Sequence, residues 1–229
     1  MLEKLSSGIL VVWTDVAAKH ETEFNSWYNE QHLPERLAVP GFHEARRYGC
    51  EVSPKYLAYY ETTTPEVMTS DSYIERLANP TDWTRRVMPW FVGTVRTVCK
   101  VVANFGHGIG GAVQTITFSI EQAEDALPDG VALSHWLAGQ ALPEAASHLG
   151  CVTVQLWNNE TAITNRPSPE QAMRPQRDSA VDWVIVVEAV AESALQEIIS
   201  PIEKFLQEHR ATKIRLQGPY QLLNYLRKE

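Results

Sequence analysis

Hydrophobic and polar residues along the first half of the chain follow the periods of strands and helices in turn. Residues 8–14 are apolar and β-branched, as in a buried strand. From residue 17 to residue 32 the side chains sort into an apolar and a polar side at the period of an α-helix. Leu33 precedes a proline, which disfavours the α-helical region, so we expect this helix to end near His32. Further strands are predicted over residues 42–50, 56–62 and 94–104, with helices over 65–77 and 83–90.

The second half repeats this order of elements. Strands are predicted over residues 113–119, 151–157, 181–188 and 213–226, the last one broken by Gly218-Pro219, and helices over 133–141 and 192–209. The order βαββαβ is that of the ferredoxin-like unit. A sheet with both helices on one face leaves its other face uncovered, and two such sheets can cover each other. We therefore predict an α+β fold in which two tandem ferredoxin-like βαββαβ repeats form a pseudo-dimeric α/β barrel.

A sequence repeat points to duplication within the chain. Residues 26–41 and 135–150 share six identical residues in register, where average composition predicts about one. The second copy lacks three ionisable side chains of the first, because His32, Glu30 and Arg36 are matched by Ala141, Gly139 and Ala145. We therefore expect a single functional site in residues 1–105 and a degenerate second repeat in residues 112–229.

Two irregular segments separate the predicted elements. Residues 106–111 match the GxGxxG pattern of dinucleotide-binding loops, but a strand rather than a helix follows, so we interpret them as a flexible linker between the repeats. Residues 158–180 contain three prolines and are too long for an ordinary hairpin connection. They are expected to form either a mobile loop or a lid.

Composition and charge exclude several classes of partner. The chain has 229 residues and a net charge of −8 with dispersed basic residues, so it lacks the electrostatic footprint of a protein that binds nucleic acid or anionic lipid. No segment has the pattern of a membrane-spanning helix or a secretory signal. The three cysteines form no CxxC pair, which favours a reducing compartment. We expect a cytoplasmic protein that binds a small-molecule ligand.

The first half resembles a known family. Its similarity to the signature of the EthD-type branch of the dimeric α/β-barrel superfamily rests on Phe24 to Trp27, His32-x-Pro34, Pro40-Gly41 and a following strand with Tyr48. The resemblance implies the barrel architecture and carries the family histidine onto His32. Members include cofactor-free cyclases and isomerases, antibiotic-biosynthesis monooxygenases and haem-handling enzymes. Subunits often pair in this superfamily, so the chain is expected either to be its own pair or to form a homodimer.

His32 is the candidate catalytic residue. A neutral imidazole in a semi-apolar pocket can move a proton to or from an enolisable or phenolic substrate. The alternative is a structural histidine that stabilises the C-terminal end of the helix. The predicted substrate-binding residues are Tyr28, Gln31, Arg46, Tyr48, Tyr60 and Trp90. On the strand over 42–50 either Arg46 with Tyr48 or His43 with Arg47 faces the site, because alternate residues point to opposite faces.

The predicted function is that of a cofactor-independent enzyme acting on a small, partly apolar organic molecule. Cyclase, isomerase, dehydratase and monooxygenase chemistry all need the proton transfer that His32 could perform. Two alternatives stay open: a non-catalytic small-molecule-binding or stress-related barrel protein, and a haem-binding protein. The histidines and cysteines lack metal-site spacing, so no metal and no cofactor is predicted.

Overall fold

The computed structural model describes residues 6–120, 132–209 and 211–228, and the chain forms two compact units. The first unit contains the chain up to Lys100, Asn159–Ala180, and Leu223 onward; the second contains Val101–Asn158 and Val181–Leu222. The segment Asn159–Ala180, here named the crossover segment, packs with the first unit. Residues 121–131, a part of the predicted second repeat, lie outside the described residues.

The predicted order of strands and principal helices is found in each half of the chain. The first half of the chain contains β1 (Gly8–Val16), α1 (Glu21–Trp27), a π-helical turn (Tyr28–His32), α2 (Leu33–Ala38), β2 (Phe42–Gly49), β3 (Tyr56–Thr62), α3 (Asp71–Ala78), α4 (Asp82–Val87) and β4 (Phe91–Gly106). The second half contains β5 (Ala112–Ser119), α5 (Leu133–Trp136), a π-helical turn (Leu137–Ala141), α6 (Leu142–Ala146), β6 (Cys151–Asn159), α7 (Thr161–Thr164), α8 (Pro169–Ala172), β7 (Trp183–Ala189), α9 (Glu192–Glu208) and β8 (Thr212–Arg227). Strand β8 runs through Gly218-Pro219, where a break was predicted.

The prediction that the first helix ends at His32 is wrong, since the helical path continues to Ala38. Leu33 keeps helical angles (φ −62°, ψ −48°), and its N–H donates to the carbonyl of Tyr28, five residues back. This bond defines a π turn, whose wider path leaves room for the ring of Pro34 where a regular α-helix would clash with it. In the second unit the N–H of Leu142 bonds in the same way to Leu137, again just before a proline.

The first unit has an antiparallel sheet in the order β4-β1-β3-β2, with its helices packed on one face. The helix-facing positions of the sheet include Leu10, Val12, Ala58, Tyr60 and Val98. They form one apolar core with Phe24, Trp27 and Leu33 of the helical path. This space between helices and sheet also contains the polar groups described below.

The second unit has an antiparallel sheet in the order β6-β7-β5-β8. Its helices pack on positions that are all apolar, among them Ile116, Val154, Leu156, Ile185 and Val187. Helix α9 contributes buried leucine and isoleucine side chains to the same core. The space between helices and sheet is therefore filled by hydrocarbon in this unit.

Within residues 106–111, Gly106 and Gly110 approach other parts of the second unit closely. A Cβ added to Gly106 would lie 2.1 Å from the carbonyl oxygen of Val152. The N–H of Gly110 donates to Glu188 Oε2 at 2.7 Å. These glycines allow close approach of the backbone within the second unit, and no helix follows them to hold a pyrophosphate.

The crossover segment is built onto strand β4. The N–H of Glu160 donates to the carbonyl oxygen of Val98 at 2.8 Å. The N–H of Arg96 donates to the carbonyl oxygen of Ser179, also at 2.8 Å. The hydroxyl of Thr164 accepts from the N–H of Val98 at 2.9 Å. The short helices α7 and α8 of the crossover segment lie between these attachments. The segment is thus held at both ends and forms a wall of the first unit.

Candidate functional site

The π-helical turn places Tyr28 and His32 on the inner side of the helical path. Both side chains are buried, and they contact each other with ring centres 4.9 Å apart. The ring of Trp27 lies 4.3 Å from that of His32. Single π turns inside helices are frequent at functional sites because they reorient side chains. Here the turn brings an imidazole and a phenol into the space that faces the sheet.

His32 is a buried imidazole without a hydrogen-bond partner at Nδ1. Its side chain is 6% exposed, and no group among the described residues bonds to that nitrogen. Burial, followed by the charges of Arg36, Arg174 and Arg47, holds the pKa of His32 well below its usual range. The imidazole is therefore neutral at pH 7. Because the helical path continues six residues beyond His32, the imidazole does not stand at the C-terminal end of the helix.

Two tyrosines stand beside the imidazole. Tyr60 of β3 is buried next to Tyr28, and its ring centre lies 6.4 Å from that of His32. The Tyr60 hydroxyl has no hydrogen bond of acceptable geometry, although the Tyr28 hydroxyl is its neighbour. Burial raises the pKa of both phenols, and the proximity of Tyr28 adds to the effect on Tyr60. Both are neutral O–H groups at ordinary pH.

Arg36 lies one turn beyond His32 and is 1% exposed. Its Nη2 donates to Glu170 Oε1 of the crossover segment, and its Nη1 has no partner among the described residues. Burial is the largest single influence and lowers the pKa of Arg36, but the charge and hydrogen bond of Glu170 together with Tyr73 and Tyr60 outweigh it, so the net pKa is raised. The guanidinium also lies 5.6 Å from the ring centre of Tyr73.

Arg47 of β2 is the second buried guanidinium of the site. Its Cζ lies 4.6 Å from the ring centre of Tyr28 and 4.9 Å from that of Tyr56. It donates to the side-chain oxygens of Asn25 and Asn29, and it forms no ion pair with a carboxylate among the described residues. Burial lowers the pKa of Arg47 from its usual value. Of the two alternatives for this strand, Arg47 is the residue beside His32.

Arg46 and Tyr48 lie on the opposite face of the sheet. Arg46 donates to the Tyr59 hydroxyl at 2.7 Å and pairs with Glu44 and Glu61. The ring of Tyr48 stacks on that of Tyr59 at 5.8 Å. A β-bulge between Phe42 and Glu44 shifts the alternation, so Phe42 shares its face with Ala45 and not with Glu44 as expected. The structure therefore does not bring Arg46 and Tyr48 together with His32.

Gln31 and Trp90 also lie apart from the imidazole. The Gln31 amide donates to the hydroxyls of Thr81 and Thr84 at 2.7 and 2.9 Å, which ties the π turn to the start of helix α4. The ring of Trp90 stacks on that of His20 at 4.2 Å. Of the predicted site residues, the structure thus groups His32, Tyr28 and Tyr60. His43 bonds to the hydroxyl of Thr63 at 2.9 Å, on an exposed part of the strand.

Three arginines with buried side chains surround His32 and the two tyrosines. The sequence pattern indicated these arginines only in part. Arg174 of the crossover segment is paired with Asp178, and its guanidinium lies 4.9 Å from the ring centre of Phe91. Three guanidinium charges, those of Arg36, Arg47 and Arg174, are thus opposed by the two carboxylates of Glu170 and Asp178. The space is positively charged, which favours an anionic ligand or an anionic transition state.

The second unit has none of these groups at the equivalent positions. Ala141, Ala145 and Leu137 stand where the first unit has His32, Arg36 and Tyr28, and all three are buried. A cavity of about 100 Å³ lies beside Ala141 and Ala145 and is lined mainly by Trp136, Phe205 and other apolar residues. The polar site is therefore confined to the first unit.

The described residues contain no group of three or more side chains able to hold a metal ion. None of the helices in the described ranges combines the length and apolar character needed to cross a membrane.

Comparisons with known proteins show the fold. No protein-family model and no curated protein sequence matches the chain. An anthrone oxidase-like protein shares 9% identity with a TM-score of 0.63, over 98% of this chain and 94% of its own. A proposed monooxygenase from Fusobacterium nucleatum shares 12% identity with a TM-score of 0.58, over 97% and 95%. A chlorite dismutase from Candidatus Nitrospira defluvii, solved with cyanide, shares 12% identity with a TM-score of 0.54, over 96% and 91%.

Proposed function

We propose that the first unit is the active site of a cofactor-independent enzyme in which His32 moves a proton on a small, partly apolar phenol or enol. The observation that carries the proposal is a neutral imidazole whose Nδ1 has no partner, buried among three arginines in an otherwise apolar core. An unsatisfied buried polar atom costs stability, so a native structure that retains one calls for an explanation. The fold shared with monooxygenase-like and anthrone oxidase-like proteins is compatible with this chemistry.

The proton transfer follows from the charges around the imidazole. The phenol O–H or acidic C–H of the ligand gives its proton to His32, and the electron pair stays on the ligand as a phenolate or enolate. The guanidinium groups of Arg36 and Arg47 stabilise this anion. The anion in turn offsets the arginine charges and raises the pKa of His32 toward the operating pH, where a general base is most effective. The protonated imidazole then returns the proton at another position of the ligand.

The two tyrosines have an orienting role in this proposal. As neutral O–H groups, Tyr28 and Tyr60 can donate hydrogen bonds to an anionic oxygen. The Tyr60 hydroxyl lies beside the Tyr28 hydroxyl without a well-formed bond to it, so the pair can turn toward a ligand oxygen. The rings of Trp27 and Phe24 supply the apolar surroundings. A small ligand with one ionisable oxygen and an apolar body matches this lining.

The residues beside His32 do not fit a haem. The imidazole is enclosed by the rings of Trp27 and Tyr28, and both of these side chains are at most 2% exposed. A porphyrin beside His32 would have to displace these packed rings. We therefore derive no role for haem at this site.

A non-catalytic binding protein is the second candidate. It is favoured by the near-complete enclosure of His32. A catalytic base that exchanges protons with a freely diffusing substrate does not need such enclosure. In that case the arginines recognise an anionic ligand and the imidazole only completes the lining. The two candidates agree on the ligand and differ on proton transfer.

We further propose that the chain is an EthD-type duplicate whose two units pair as a pseudo-dimeric barrel. The π-helical turn before a Leu-Pro pair in both units, 109 residues apart, supports a common origin. A small-molecule ligand, a cytoplasmic location and further dimerisation stay predictions.

Nitrophenols of graded acidity test the proposal, because their phenolates absorb visible light. The wild-type protein is expected to bind them and to shift the bound phenol toward the phenolate. His32→Gln should still bind but lose this ionisation at least tenfold. Arg85→Gln, which removes an exposed arginine paired with Asp82, is the matched control and should behave as the wild type.

Two results would count against the enzyme. If His32→Gln ionises the bound phenol as well as the wild type, the imidazole is not the base and the binding protein is favoured. If the wild type binds no phenol, both candidates are wrong for this class of ligand.

A further inference from the structure

The crossover segment lines a partly open polar cavity in the first unit. Its volume is about 430 Å³, within the range of sites for small ligands. It is lined by Thr164, Asn165 and residues 167–180 of the segment except Pro169, Glu170 and Met173, together with Arg96 of strand β4. The lining includes three arginines and one aspartate, so it is rich in charge for a space built by so short a stretch of chain.

Arg96 is a mostly buried arginine in the lining of this cavity. Its side chain faces the cavity, the residue is 8% exposed, and it forms no ion pair with a carboxylate among the described residues. Its one side-chain hydrogen bond goes from Nη2 to the Tyr73 hydroxyl at 3.5 Å, the outer limit for such a bond. A buried charge without a counterion destabilises the fold unless it is compensated. An anion in the cavity would supply that compensation.

Arg174 and Arg177 extend the positive lining. The guanidinium of Arg174 is held by Asp178 through Nη1, while its buried Nε has no partner among the described residues. Arg177 is exposed and reaches the cavity without an ion pair in the described part of the chain. Two of the three arginines are therefore buried and oriented by their neighbours, which favours selective binding over loose attraction.

Asp178 adds a second requirement on the ligand. Its Oδ2 accepts from Arg174, but its buried Oδ1 has no hydrogen-bond partner among the described residues. A carboxylate oxygen accepts hydrogen bonds and repels another anion. The group that meets Oδ1 must therefore be a donor, such as a hydroxyl.

We propose that this cavity is a binding site for a small organic anion that carries a hydroxyl beside its acidic group, as in a hydroxycarboxylate. The acidic group pairs with Arg96 and Arg177, and the hydroxyl donates to Asp178. The proposal does not rest on a catalytic role for His32. Arg174 lies near both sites, but the groups proposed to bind the anion are Arg96, Arg177 and Asp178, whereas the phenol site uses Arg36, Arg47 and the two tyrosines.

Succinate and malate test the proposal, since they differ by one hydroxyl, and inorganic phosphate is a third probe. Binding is measured by calorimetry at constant ionic strength. Malate is expected to bind the wild type more tightly than succinate, and both should bind Arg96→Gln and Arg177→Gln at least tenfold more weakly. Arg85→Gln should bind like the wild type, and so should His32→Gln, which separates this site from the phenol site.

Three outcomes would overturn the proposal. The first is no binding of any probe at millimolar concentration, and the second is equal affinity of wild type and both cavity variants. Phosphate binding without malate binding would show an anion site that lacks the proposed hydroxyl specificity. If Arg96→Gln does not fold, Arg177→Gln decides, because that side chain is exposed and its loss leaves the core intact.

Discussion

The two units have the same order of principal elements, and each has a π-helical turn. They fill the space between helices and sheet in different ways. In the first unit that space contains His32, two tyrosines and buried arginines. In the second unit it contains alanine, leucine, isoleucine and valine. The comparison shows that the π turn does not depend on polar groups, since it occurs in both units before a proline. The charged groups of the first unit therefore need another explanation, and ligand binding supplies one.

The largest expected effect comes from removing the counterion of Arg36. Glu170→Gln leaves a buried guanidinium without its carboxylate, which should lower the free energy of unfolding by about 3–5 kcal/mol. Urea unfolding measures this change. Glu144→Gln, at an exposed position of the second unit, is the matched control and should change stability by less than about 0.5 kcal/mol. Equal stability of the two variants would show that the Arg36 pair is not a buried, dry one.

The next effect concerns the ligand rather than the fold. Arg47→Met keeps the volume of the side chain and removes its charge, and the protein should stay folded, because the partners of Arg47 are neutral asparagines and no buried carboxylate among the described residues is left unpaired. Nitrophenolate binding should weaken about tenfold to hundredfold, the value of one charge-assisted contact. Absorbance titration measures it. Undiminished binding by Arg47→Met would place the phenolate elsewhere.

The pH dependence of stability tests the neutral state of His32. In the unfolded chain a histidine takes up a proton near pH 6.5, whereas folded His32, with its lowered pKa, does so only at lower pH. The unfolded state therefore gains protons first, and stability falls as the pH decreases below 6.5, by up to about 1.4 kcal/mol per pH unit.

His32→Gln should lack this contribution. Urea unfolding between about pH 7.5 and 5.5 is compared for the two proteins, so that other titrating groups cancel. Parallel pH profiles of wild type and variant would mean that His32 is protonated equally in both states.

The smallest effect belongs to the second unit. Ala141→Val should fill part of the cavity of about 100 Å³ beside this residue and stabilise the protein by about 0.5–1 kcal/mol. Thermal unfolding measures the gain. The same replacement at His32 should not stabilise, because it leaves the hydroxyl of Tyr60 and the guanidinium of Arg36 in a drier space. A loss of stability in Ala141→Val would show that the second unit is already fully packed.

Much of the fold was predictable because the hydrophobic periodicity of the elements and the glycine and proline residues between them were clear. The βαββαβ order followed from alternating strand and helix periods. The choice of His32 as the candidate residue followed from its replacement by Ala141 in the repeat. The continuation of the helix past His32 was not predictable from the rule for residues before proline, since a π turn relieves the clash. The bulge after Phe42 was not predictable either, and it places Phe42 on the face of Ala45 and Arg47 instead of that of Arg46.

The contribution of the crossover segment could not be predicted for a different reason. Glu170 lies 134 residues from Arg36, and no periodic pattern marks either Glu170 or Arg174 as buried. Arg36 alone had a signal, its loss to Ala145 in the second copy. Long-range ion pairs of this kind depend on where a loop packs, and local sequence does not determine that.

The central claim is that His32 is a neutral, buried base held among arginine charges. An NMR titration of histidine ring resonances tests it most directly, with His32→Gln used to assign the signal. The account predicts that the His32 signal titrates with a midpoint well below 6.5 in the free protein and that a bound nitrophenolate moves the midpoint upward. A midpoint at or above 6.5 in the free protein, unchanged by the ligand, would contradict it.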